Sequence, residues 1–122
     1  MPDISYNVGL KVDKDYLSNF VSVANVTATM SQAGMSSVTL SLSTNVTNIS
    51  TASLSAVGVA FLRNLSTDTA ATVTVGVNSG ATFVPFGTLR AGEPAVLRLA
   101  SGASYAAIGA SGSRLRVDVT EG

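Results

Sequence analysis

Hydrophobic and polar positions alternate with a period of two along most of the chain, the signature of half-buried β-strands. In SSVTLSLST, Val38, Leu40 and Leu42 share one face, and Ser37, Thr39, Ser41 and Ser43 share the other. ATVTVGV repeats the pattern, setting Val73, Val75 and Val77 against Thr72, Thr74 and Gly76. SRLRVDV repeats it again, with Leu115, Val117 and Val119 opposite Arg114, Arg116 and Asp118. LSAVGVAFLRN is apolar on both faces and is therefore expected centrally in the fold or at a subunit contact. In FVSVANVTATM the phase slips after Val21 and Val23, and a bulge near Ala24 and Asn25 restores it for Val26, Ala28 and Met30.

Turn signals separate these runs: SQAG at 31–34, STDT at 66–69, NSG at 78–80, RAGEP at 90–94, SGAS at 101–104 and SGS at 111–113. Between them the pattern predicts strands at 20–30, 36–43, 55–63, 71–77, 82–89, 95–100, 104–109 and 113–119. No segment sustains a 3.6-residue period, and Gly, Ser, Thr and Val are poor helix formers. The expected fold is all-β, an antiparallel β-sandwich or jelly roll of about eight strands. Residues 1–19 are expected as an extended N-terminal arm anchored by Tyr6, Leu10 and Tyr16, or else as an edge strand with a polar turn. Residues 20–122 are expected to form the sandwich domain.

Composition sharpens this picture at one point. From Tyr16 to Leu62 there is no Asp, Glu, Lys or Arg, and charged residues supply 11% of the whole chain against a typical value of about 25%. Ser and Thr take over the polar duty. The outward face of SRLRVDV carries ordinary charges, whereas that of SSVTLSLST carries hydroxyls. The hydroxyl face, Thr39, Ser41 and Ser43, is therefore expected to meet another protein rather than water. Seven basic and seven acidic residues cancel, so no electrostatic footprint for nucleic acid or an anionic membrane is expected. The start lacks a basic segment followed by an apolar run, and no window approaches the length of a membrane-spanning helix; neither secretion by a signal peptide nor membrane insertion is expected.

Candidate chemistry is sparse. His and Cys are absent, which removes the commonest general base, the usual partners of a nucleophilic serine and thiolate metal sites. Asp68, Glu93 and Asp118 are the carboxylates available for paired acid–base work, and the first two fall in turns. Asp13 and Asp15 alternate across Lys14 but lack the further oxygen ligands and glycine of a calcium loop. Asn25, Asn45, Asn48 and Asn64 head N-x-[ST] triplets, read as chance in so Ser/Thr-rich a chain. Arg63 and Arg98 each follow an apolar run and are candidates to pair with Glu93 or Asp68 at a subunit contact. The reading is non-enzymatic, with no cofactor and no metal.

One segment carries a resemblance. FLRNL at 61–65, VTVGV at 73–77, GATFVPF at 80–86 and LRAGEPAVLRL at 89–99 together resemble the texture of small β-rich virion proteins of tailed bacteriophages. The likeness spans roughly residues 57–100 and is most like capsid decoration (cement) proteins. It implies a structural component that binds the major capsid protein and itself, as a homodimer or homotrimer. The place implied is the capsid exterior, after synthesis in the host cytoplasm. The alternative it leaves open is a tail- or fibre-associated sandwich that binds host-surface carbohydrate. On either, the expected interface residues are Tyr6, Tyr16, Thr39, Ser41, Ser43, Arg63 and Arg98.

Overall fold

A computed structural model describes residues 3–30, 32–51, 54–68, 70–79 and 82–122. The described elements are strands: β1 (Ile4–Lys14), β2 (Leu17–Ala28), β3 (Met35–Ser41), β4 (Thr47–Ile49), β5 (Val57–Asn64), β6 (Val73–Ser79), β7 (Thr82–Leu89), β8 (Pro94–Arg98), β9 (Tyr105–Gly109) and β10 (Arg114–Glu121). The chain divides into two compact units, Met1–Ser31 and Gln32–Gly122.

The first unit is a long hairpin. β1 and β2 pair antiparallel from Ile4 opposite Ala28 to Lys14 opposite Leu17, closed by Asp15 and Tyr16. Asp15 takes φ 54°, the positive value that the first central position of a two-residue hairpin turn requires; Asp tolerates it better than most side chains. The register shifts between Tyr6 and Val8, so that Asn7 faces the extra residue at Ala24–Asn25. Asn25 is left-handed at φ 58°, and its N–H donates to Asn7 Oδ1 at 2.7 Å. The bulge expected from the phase slip is therefore present, held by an asparagine at each side. The segment 20–30, expected to open the sandwich, instead pairs with residues 4–14. The corrected phase lets Val21, Val23, Val26 and Ala28 form one continuous row against β1, and so the hairpin extends well past residue 19.

The second unit is an antiparallel sandwich of two four-stranded sheets, ordered β3-β10-β5-β8 and β4-β9-β6-β7. Pairing is nested: β3 with β10, β4 with β9, β5 with β8 and β6 with β7. In this unit the nesting is centred on the β6–β7 pair, and the strands are distributed over two layers. Inward rows from both sheets meet in one core. Leu115, Val117 and Val119 with Ala60 and Leu62 come from one sheet; Val73, Val75, Ala107, Tyr105 and Leu89 come from the other. Val73, Val75, Leu115, Val117 and Val119 are among the apolar positions that the alternation selects.

All eight expected strands are present, with ends shifted by a few residues. β5 is central, between β10 and β8, as its two apolar faces require. β4 is an additional strand, and β1 with its turn is the second of the two expectations for residues 1–19, a strand followed by a polar turn. Gly92, Gly102 and Gly112 sit in three of the predicted turns at φ 81°, 82° and 85°, a conformation that favours glycine. Position 80, in the NSG signal, lies outside the described residues.

Candidate interaction surface

Two surfaces stand out, one on each unit. On the hairpin, Ile4, Tyr6, Val8, Leu10 and Val12 project to one face of β1. Their cross-strand partners Ala28, Val26, Val23, Val21 and Asn19 project to the same face of β2. The opposite face carries Ser5, Gly9, Lys11 and Asp13, opposite Thr27, Ser22, Phe20 and Ser18. The ribbon is thus amphipathic, and the bulge keeps its apolar row on one side. Much of that row is open: Leu10 is 61% exposed and its partner Val21 54%, with Val8, Val23 and Leu17 similar. Tyr16 stands fully exposed at the tip, while Tyr6 is half-buried near the base. A two-stranded ribbon has no second layer of its own and is marginal in water by itself.

On the sandwich, the outer face of the β3-β10-β5-β8 sheet is built in rows. Ser41 lies opposite Arg114; Thr39, Arg116, Arg63 and Pro94 form the next row; Ser37, Asp118, Phe61 and Val96 the one after. Sequence reading set the hydroxyl strand and the charged strand apart, as an approached face and a solvated one. The fold joins them, because β3 hydrogen-bonds directly to β10. Thr39 and Ser41 therefore share a face with three adjacent arginines. Asp118, expected as a solvated outward charge, is 4% exposed. It accepts from the Ser37 hydroxyl and pairs with Arg116 Nε at 2.7 Å, leaving the rest of the patch cationic.

The remaining expected residues fall as follows. Ser43 lies beyond the end of β3; its hydroxyl accepts from Asn45 N–H at 3.2 Å and its carbonyl from Gly109 N–H at 3.0 Å, so it serves a turn. Arg63 Nε donates to the Gly92 carbonyl at 3.3 Å. Asp68 and Glu93 accept turn N–H groups from Ala70 and Arg90, which accounts for both carboxylates locally. Arg98 ends β8, exposed, opposite Val59. The ion pair found among the described residues is Arg116–Asp118, not one from Arg63 or Arg98.

The four sheet edges differ. β7 carries Pro85 and a bulge, β8 carries Pro94 and Arg98, and β4 is only three residues long. Each of these blunts strand addition. β3 has neither proline nor charge along Met35–Ser41, and Val38, inward by register, remains 41% exposed at this edge. A concavity of about 360 Å³ beside it is lined by Ser37, Val38, Thr39, Leu65 and Arg116.

Sequence reading missed the buried polar residues Asn64, Ser113 and Glu121. Asn64 Nδ2 donates to the carbonyls of Ala71 and Leu89, both at 3.1 Å, and its Oδ1 accepts Ser66 N–H at 3.0 Å. That excludes Asn64 as a glycan acceptor in the folded chain. Glu121 accepts the N–H groups of Ser55 (2.9 Å) and Ala56 (3.2 Å). The signal for Asn64 was its place at the end of an apolar strand, with inward parity after Ala60 and Leu62.

A second cleft, about 670 Å³, is lined by Asn48, Ser50, Thr51, Asn78, Ser104 and Tyr105 among others. Its tyrosine is buried, with the hydroxyl donated to the Ala100 carbonyl at 2.8 Å. No family model, curated protein or solved structure matches the chain.

Proposed function

We propose that the chain is a non-enzymatic structural protein of a tailed-bacteriophage virion. It decorates the capsid exterior and stabilises it by binding the major capsid protein, after synthesis in the host cytoplasm. The observation that carries this reading is the outer face of the β3-β10-β5-β8 sheet, where hydroxyls on an unguarded edge adjoin Arg63, Arg114 and Arg116. Desolvating hydroxyls on docking costs less than desolvating unpaired charges. The arginines add recognition of an acidic surface and suit an interface better than lysines do. Decoration works with many copies, so modest individual contacts sum to stable attachment. The nested strand order supports reading the sandwich as a jelly roll, an architecture of viral capsid and lectin domains, although fold alone assigns no function. The sequence texture at residues 57–100 supports the same role.

The alternative, carbohydrate binding at a tail or fibre, draws on the amide- and hydroxyl-lined cleft at Asn48 and Asn78. Sugar platforms favour an exposed aromatic ring. Tyr105, the aromatic residue at that cleft, is buried.

Quantitative mass spectrometry of purified particles should find the chain in stoichiometric ratio to the shell subunit. Its absence from particles overturns the proposal, and glycan-array binding at Asn48/Asn78 transfers it to the alternative. The double substitution Thr39→Glu/Ser41→Glu sets carboxylates opposite Arg116 and Arg114, where cross-strand pairs leave the fold intact or slightly more stable. It consumes the cationic patch, and particle occupancy should fall at least about tenfold. Full occupancy with this variant removes the face from the mechanism.

A further inference from the structure

We infer that the apolar face of the β1–β2 hairpin is a homotypic interface, stacked face to face against the same surface of a second copy of this chain. Three observations specify that occupant. First, the face carries no charge from Ile4 to Val12 or on the paired stretch of β2: Lys11 and Asp13 project to the other side, and its one charge, Lys14, lies at the tip beside Leu17. Two antiparallel copies related by a twofold axis hold their Lys14 side chains at opposite ends and approach without like-charge repulsion, while a charged partner finds nothing to pair with between Ile4 and Val12.

Second, the open fractions of Val8, Leu10, Leu17, Val21 and Val23 leave about 500 Å² exposed per copy, so mutual stacking covers about 1,000 Å² from these side chains alone, the threshold for a specific interface. Third, the bulge at Ala24–Asn25 keeps ten positions on one side of a two-stranded ribbon that has no second layer of its own. A bulge is a local cost, and here it serves the continuity of that face. Two such ribbons at the ordinary spacing of about 10 Å between stacked sheets form a small four-stranded sandwich, which supplies the missing layer.

This deepens the proposed role by adding a contact between copies to the contact with the shell, and rests on it only for that setting. The sandwich face meets the shell and the hairpin face meets its own kind.

The test is sedimentation equilibrium of the full chain over about 1–100 µM. The unmodified chain should reach the mass of two chains. Leu10→Lys/Val21→Lys, an adjacent cross-strand pair at the centre of the face, should weaken dimerisation at least 100-fold and leave monomers. Leu10→Thr/Val21→Thr keeps strand propensity and should weaken it about tenfold, which separates lost apolar contact from a melted hairpin. Phe20→Thr, on the opposite face beside Lys11, should leave the dimer unchanged. A monomeric unmodified chain, a dimer that survives the Lys pair, or a Phe20→Thr variant as weakened as the Leu10/Val21 variants each overturns the inference. A hairpin-dependent dimer from a chain absent from particles leaves this inference standing and removes the shell role alone.

Discussion

Asn64→Ala should lower the stability of the sandwich by about 3–5 kcal/mol, the largest effect expected of any single substitution considered. The side chain is fully buried at the end of β5, in the β3-β10-β5-β8 sheet. Its two donors reach the carbonyl of Ala71, just before β6, and that of Leu89, the last residue of β7, both belonging to the other layer. Its acceptor holds Ser66 N–H. One amide therefore ties the two sheets together and fixes the start of the 65–72 loop. Truncation strands two buried carbonyls and an N–H, each costing about 1–3 kcal/mol, and adds a small cavity. For a unit of this size the loss corresponds to a melting temperature lower by about 15–30 °C. Asn64→Leu keeps the volume without the bonds and should be nearly as destabilising; near-native melting of that variant would refute the staple.

Gly76→Ala is expected to cost about 2–3 kcal/mol and to loosen β7 selectively. Gly76 lies in β6, paired with Ala106 on one side and Pro85 on the other. A Cβ at this position runs into the backbone carbonyl of Val84, lies 2.7 Å from Pro85 Cα and 2.9 Å from the Phe83 ring. Two of the three obstacles are backbone, so no rotamer change relieves them. The edge strand must move, and the β7 bulge next to Pro85 is where it gives. Hydrogen exchange should show protection lost along residues 82–89 and kept in β9, on the other side of β6. Equal loss in both strands would argue for a general core effect instead of a close approach.

Much of this was legible from local pattern. The inward rows of β6 and β10, the turns that hold Gly92, Gly102 and Gly112 and the bulge at Ala24–Asn25 all follow from a period of two and its interruptions. One strand was not legible, and another was legible only as one of two alternatives. β4 is three residues long, too short for an alternation to register. β1 was left open between an arm and an edge strand, because Tyr6, Leu10 and Tyr16 read equally as isolated anchors. The interaction residues fared unevenly: Thr39 and Ser41 are on an exposed outer face, while Ser43 serves a turn.

What the sequence determined by itself is each strand's two faces, because alternation is fixed by peptide geometry residue by residue. Only the tertiary structure decided which faces are neighbours. Ser37 and Asp118 meet across most of the chain's length, and that pairing, invisible to any local window, is what places hydroxyls and arginines on one surface. The same holds for the first unit: residues 20–30 had the pattern of a sandwich strand, and pairing with β1 made most of them half of a hairpin. Pattern says what a strand has to bury; the partner it finds says where.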